Sequence, residues 1–140
     1  MATYSSTRYS SNPQARSREG ETMLFASVLS TAAFATSDIV NFFYVPAGFT
    51  ALGVQLSSTD IDTNGTPTVT IDIGDSGDVD RLIAASTIGQ AAGVTNTMAR
   101  AGFGYLYTAD TLIYATLNTV ATGAIGTLKF ALWGIVGNLG

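Results

Sequence analysis

From Thr68 to Ile73 the chain alternates without a break, and glycine-bearing turns close the run on both sides: Asn64-Gly65-Thr66-Pro67 before it, Gly74-Asp75-Ser76-Gly77 after it. Val69, Ile71 and Ile73 fall on one side and Thr68, Thr70 and Asp72 on the other, the pattern of a strand with one buried and one solvated face. A helix cannot sort these residues into two faces. Weaker copies of the pattern recur. Leu52, Val54 and Leu56 alternate with Gly53, Gln55 and Ser57, while Leu128, Phe130 and Leu132 alternate with Lys129 and Ala131, which predicts two more strands with those apolar residues inward. Residues 38–45 and 111–118 are β-branched and aromatic without clean alternation, as expected of strands covered on both faces. Pro46-Ala47-Gly48 and Thr122-Gly123-Ala124 supply further turns. Short strands at regular spacing, with no long helical pattern, predict an all-β fold: a single antiparallel β-sandwich of jelly-roll type. After Asp78 the sequence fits a short capped helix or another strand equally.

At 140 residues the chain builds one core, and only 11% of it is charged against roughly 25% in ordinary soluble domains. So little charge suits a molecule that covers part of its surface with other subunits. There is no Cys and no His. Disulfides and thiolate metal sites are thereby excluded, and the commonest general base and nucleophile partner are missing, so a catalytic role is not expected. Residues 1–21 read as an extended N-terminal arm and 22–140 as the sandwich domain. The arm is rich in Ser, Arg and Tyr and has no apolar period from which to build a core. Its Arg8, Arg16 and Arg18, with Tyr4 and Tyr9, are the candidate contacts to a neighbouring subunit or another partner. Three Arg without a Lys run argue against nucleic acid. Residues 23–35 imitate the apolar part of a signal peptide. Glu19 and Glu21 stand where positive charge is wanted, however, and Ser27, Ser30 and Thr31 interrupt the run, so a strand is expected. The uncharged run 111–128 carries too many Thr and Asn residues for a membrane helix.

Six of the ten acidic residues lie between Leu56 and Thr87. Gly74-Asp75-Ser76-Gly77 matches the surroundings of the nucleophile in trypsin-like proteases, but without His no triad can form. Asp60-Ile61-Asp62-Thr63-Asn64-Gly65 copies the start of a calcium loop, yet its twelfth position is Ile71 instead of the closing Glu. Asp75, Asp78 and Asp80 could complete an oxygen-rich site from a second loop. Asp60, Asp62, Asn64, Asp75, Asp78 and Asp80 are therefore the candidate ligands for Ca²⁺, against a plain Asn-Gly hairpin; no other cofactor is expected. Paired aspartates also serve glycoside hydrolysis, given a cleft. If 101–107 is a strand, Phe103, Tyr105 and Tyr107 share one face that could stack on sugars or, more commonly for aromatics, fill a core or subunit interface. Trp133 carries the same two readings.

Val45-Pro46-Ala47-Gly48-Phe49 followed by TDIDTNGTPTVTIDIGDSGDVDRLIAAST, starting at Thr59, resembles the cement or head-decoration proteins of tailed bacteriophages. There a Pro-Ala-Gly turn precedes an Asp-x-Asn/Gly-Gly-Thr-Pro hairpin, a strand ending in Gly-Asp, and an Asp-Arg-Leu/Phe-Ile-Ala segment. The resemblance spans residues 38–93 and, more loosely, the last hairpins. It implies a jelly-roll-like sandwich, commonly a homotrimer, seated on the outer capsid surface of the virion and bridging major capsid proteins without any catalytic residue. The alternative from another class is a receptor- or carbohydrate-binding module of a tail fibre or spike.

Overall fold

The computed structural model describes residues 1–5 and 20–137 and places ten strands there: β1 (Thr3–Ser5), β2 (Gly20–Leu29), β3 (Ile39–Val45), β4 (Phe49–Ser58), β5 (Thr70–Asp75), β6 (Asp78–Ser86), β7 (Gly93–Thr95), β8 (Leu106–Tyr107), β9 (Thr111–Asn118) and β10 (Thr127–Val136). They form two sheets, in the orders β1-β3-β9-β5-β6 and β2-β10-β4-β7, with β8 added to the far end of β4. Every strand pairing is antiparallel except β1 with β3. The β-sandwich that the alternation predicts is the fold. After Asp78 the chain takes the strand option, because Leu82 and Ile83 are needed in the core beside Ile73.

Alternation does the sorting. Leu24, Ala26 and Val28 of β2, Val54 and Leu56 of β4, and Leu128, Phe130 and Leu132 of β10 point inward; they meet Ile71 and Ile73 of β5 and Ile113, Ala115 and Leu117 of β9. β9 thus alternates cleanly, contrary to the two-sided burial expected of 111–118. In β3 the irregularity has a different cause from the one expected. The register against β9 slips between Asn41 and Phe43, so Phe42 is an extra residue. A bulge of this kind lets consecutive side chains reach the same layer. Phe42 and Phe43 both reach Phe130, with ring centroids 5.2 and 5.9 Å away. A second bulge corrects another expectation: β4 slips against β10 at Leu52, which is turned half-exposed to the outer face instead of joining Val54 and Leu56 inside.

The first residues belong to the sandwich. β1 runs parallel to β3, Tyr4 packs edge-on against Phe34 at 5.2 Å, and the buried Asp38 carboxylate accepts the Ala2 N–H at 2.6 Å and the Ala35 N–H at 2.9 Å. Met1 to Ser5 are therefore no free arm. Arg8, Tyr9, Arg16 and Arg18 lie outside the described residues.

Candidate functional site

The six candidate cation ligands do not converge. Asp62 is fully buried where the β4–β5 and β9–β10 loops meet, and five backbone N–H groups donate to its carboxylate. Oδ2 accepts from Thr68 at 2.9 Å, Val69 at 3.1 Å and Ala121 at 3.1 Å; Oδ1 accepts from Thr122 at 2.8 Å and Asn64 at 3.3 Å. Burial pushes this carboxyl up, but the N–H groups of Thr122, Thr68, Ala121 and Asn64 outweigh it and hold the group far below the usual carboxylate range. The calcium-like spacing has a local explanation. Asp60 accepts the Asp62 N–H at 3.2 Å, Asp62 that of Asn64, and Asn64 that of Thr66 at 2.9 Å. Each side chain caps the backbone two residues on, so Asp-x-Asp-x-Asn is a relay of Asx-turns.

Asp75 sits at the tip of the β5–β6 hairpin and serves a different network. Its Oδ1 accepts the N–H groups of Gly77 at 2.9 Å and Asp78 at 3.1 Å, which closes the turn. Arg81 grips both oxygens, Nε to Oδ2 at 2.7 Å and Nη2 to Oδ1 at 3.2 Å, and the Tyr107 hydroxyl donates to Oδ2 at 3.2 Å. The guanidinium also lies 3.8 Å from the centre of the Tyr105 ring, which meets Tyr107 edge-on at 4.8 Å. Burial raises the Asp75 carboxyl, but the Arg81 hydrogen bond and charge, with Gly77 and Tyr107, lower it further. Tyr107 is pushed well above the ordinary phenol value by burial and by the Asp75 charge. The cluster fastens β8, an addition to the second sheet, onto the end hairpin of the first.

Asp78 and Asp80 remain on the solvent side of β6. Among the described residues no three acidic side chains are grouped so as to hold a metal ion. The aromatic ladder does not form either. Residues 101–104 are turns, Gly104 takes the left-handed φ of 79°, and only Leu106–Tyr107 pair as a strand. Phe103 is left 67% exposed, Tyr105 lies beneath Arg81, and Tyr107 is buried. Of the two readings given to these aromatics, Tyr107 takes the core one, and Tyr105 packs half-buried against it.

What sequence reasoning missed is the outer face of the second sheet. Met23 and Phe25 on β2, Trp133 and Ile135 on β10 and Val94 on β7 all point away from the core, with Met23 66% and Phe25 46% exposed. Trp133 lies flat across β4, so close to Gly53 that a Cβ there would run into the indole. The signal was present in residues 23–29, which carry apolar side chains at both parities; a strand with only one buried face does not need them. Two shallow grooves flank Trp133, one reaching Glu21 and the other Lys129.

No family model and no curated protein matches the chain. Solved structures do. A chain of the capsid asymmetric unit of cyanophage Pam1 is 29% identical, with a TM-score of 0.73 over 91% of this chain and 99% of that one. A chain in the capsid of Ralstonia phage GP4 is 27% identical, with a TM-score of 0.71 over 98% of this chain and 99% of that one. This chain is similar to components of phage capsids. A chain from the acid-stable capsid of the Helicobacter pylori bacteriophage KHP30, 13% identical with a TM-score of 0.59 over 81% of this chain and 86% of that one, shares the fold. The resemblance read from the Pro-Ala-Gly turn and the acidic hairpin thus leads to phage heads.

Proposed function

We propose that this chain is a structural virion protein that binds the outer surface of a phage capsid and stabilises the shell by bridging neighbouring major capsid proteins. The observation that carries the proposal is the whole-chain match to chains in two phage capsids, which covers 99% of each of those chains. A match of that extent makes the sandwich itself the shared unit. The site geometry is compatible with the same reading: the buried carboxylates Asp38, Asp62 and Asp75 accept from donors within the chain and hold its own loops and strands together. Arg8, Arg16 and Arg18 are the proposed tether to the particle.

The test is reconstitution. Purified protein added to heads that lack it should co-sediment with them and raise the temperature at which they release DNA. The R8S/R16S/R18S variant should keep the melting temperature of the free protein and bind heads more weakly. Attachment to tails in preference to heads, or no change in the release temperature at saturation, would remove the stabilising role.

A further inference from the structure

We propose that the outer face of the second sheet is a two-fold interface between two copies of this chain. The core does not require an apolar surface there, because the inward residues of β2, β4 and β10 already fill the space between the sheets. Even so, the outward residues of β2 and β10 include Met23, Phe25, Ala131, Trp133 and Ile135. The indole is already laid flat over Gly53, so burying it costs little additional ordering.

The register specifies the occupant. In the β2–β10 pairing, Ile135 stands beside Glu21, Trp133 beside Met23, Ala131 beside Phe25, and Lys129 beside Ser27. The face therefore carries a carboxylate at one end, an ammonium at the other and an apolar middle, and the two charged rows are six residues, or about 20 Å, apart. Consider a two-fold axis lying between the stacked faces and crossing the strands midway between the Ala131 and Trp133 rows. It exchanges the end rows, so Lys129 of each copy meets the Ile135–Glu21 row of the other. It also sets Trp133 against Ala131 and Met23 against Phe25, so the large indole meets the smallest side chain on β10. An axis along the strands would instead keep each row on itself, so that Lys129 never reaches Glu21 and, over β10, falls on Lys129. Sheet faces stack about 10 Å apart, within reach of a Lys and a Glu that extend toward each other. A surface that complements itself under one rotation is the signature of an isologous contact. Nothing in this inference depends on the capsid reading.

Charge reversal with rescue tests it. Full-length wild-type protein should sediment as a two-copy species below about 100 µM, with a blue shift of Trp133 emission as the species forms. K129E places Glu on Glu21 and E21K places Lys on Lys129, so each should weaken association on the order of tenfold. The K129E/E21K double variant should restore it. Both side chains are exposed, so the melting temperature of the dilute protein reports that folding is intact. A wild-type monomer at that concentration, a strict trimer, association indifferent to either single reversal, or failure of the double variant to recover would each overturn the interface.

Discussion

Asp62 and Asp75 lie thirteen positions apart in one acidic stretch, both buried and both with the carboxyl lowered from its ordinary value, yet they are held by opposite means. Asp62 is surrounded by backbone N–H groups from two loops. Asp75 relies on side chains, a two-pronged Arg81 and the Tyr107 hydroxyl, in addition to its own turn. The first is a hub that fixes where loops run, and any residue type but Pro could supply its donors. The second is an ion pair whose partner is written six residues downstream in the same hairpin. A dense acidic segment can therefore be entirely architectural, with one carboxylate fixing the path of the backbone and another docking a strand.

The contrast breaks first at Asp62. D62A leaves five backbone donors without their acceptor, the Val69 N–H buried and the other four on residues that reach solvent, so at the low end of the roughly 1–3 kcal/mol per orphan the loss should reach about 4 kcal/mol. Urea titration measures it; a loss under about 1 kcal/mol would mean that water replaces the carboxylate freely. Next comes Asp75. D75A strands the Arg81 guanidinium, whose side chain is only 14% exposed, and should cost about 3–5 kcal/mol. Here a remedy exists that Asp62 lacks. R81M added to D75A removes the orphaned charge and should recover part of the loss, whereas no single second substitution can repair five backbone donors. A D75A/R81M variant as unstable as D75A alone would show that Asp75 acts mainly through the turn and Tyr107.

How much of this was legible follows from the same division. The period-two runs at 68–73 and 128–132 and the turn residues around them are local, so the sandwich could be read directly. Bulges are not local: Phe42 and Leu52 become extra residues only because β9 and β10 run past them in a fixed register. Asp62 and Asp75 were picked out as candidate cation ligands, and the structure engages both carboxylates with internal donors. The two-residue spacing of Asp60, Asp62 and Asn64 fits a cation loop and a relay of Asx-turns equally, and the choice depends on donors up to 60 positions away in sequence. Arg81 was the missed partner, although its distance along the β5–β6 hairpin from Asp75 could have suggested the pair.

Acid should affect the two aspartates together. Each has a folded pKa below its unfolded value of about 4, so its contribution is complete above that value and is lost as pH falls through the folded one. The wild-type urea midpoint should be flat with respect to these groups from pH 7 to about 5 and fall steeply below about 4. D62N, if it folds, should start lower at pH 7 and fall less steeply, because one of the two groups taking up protons is gone. Parallel curves for D62N and wild type would remove Asp62 from the acid response.

Asp80 supplies the smallest and most discriminating case, a third aspartate of the stretch whose carboxyl is set by its acidic neighbours. Its neighbour Asp78, by hydrogen bond and by charge, raises its carboxyl, with burial and Asp72 adding in the same direction. The sign is thus reversed relative to Asp62 and Asp75: a raised folded pKa means that ionisation at neutral pH works against the fold and that protonation relieves it. D80N should raise the melting temperature by on the order of a degree at pH 7, since the position is exposed and screened, and the gain should vanish near pH 3. A D80N protein that melts lower than wild type at pH 7 would mean that the Asp78–Asp80 pair is held by an attraction, such as a shared cation, and not merely tolerated.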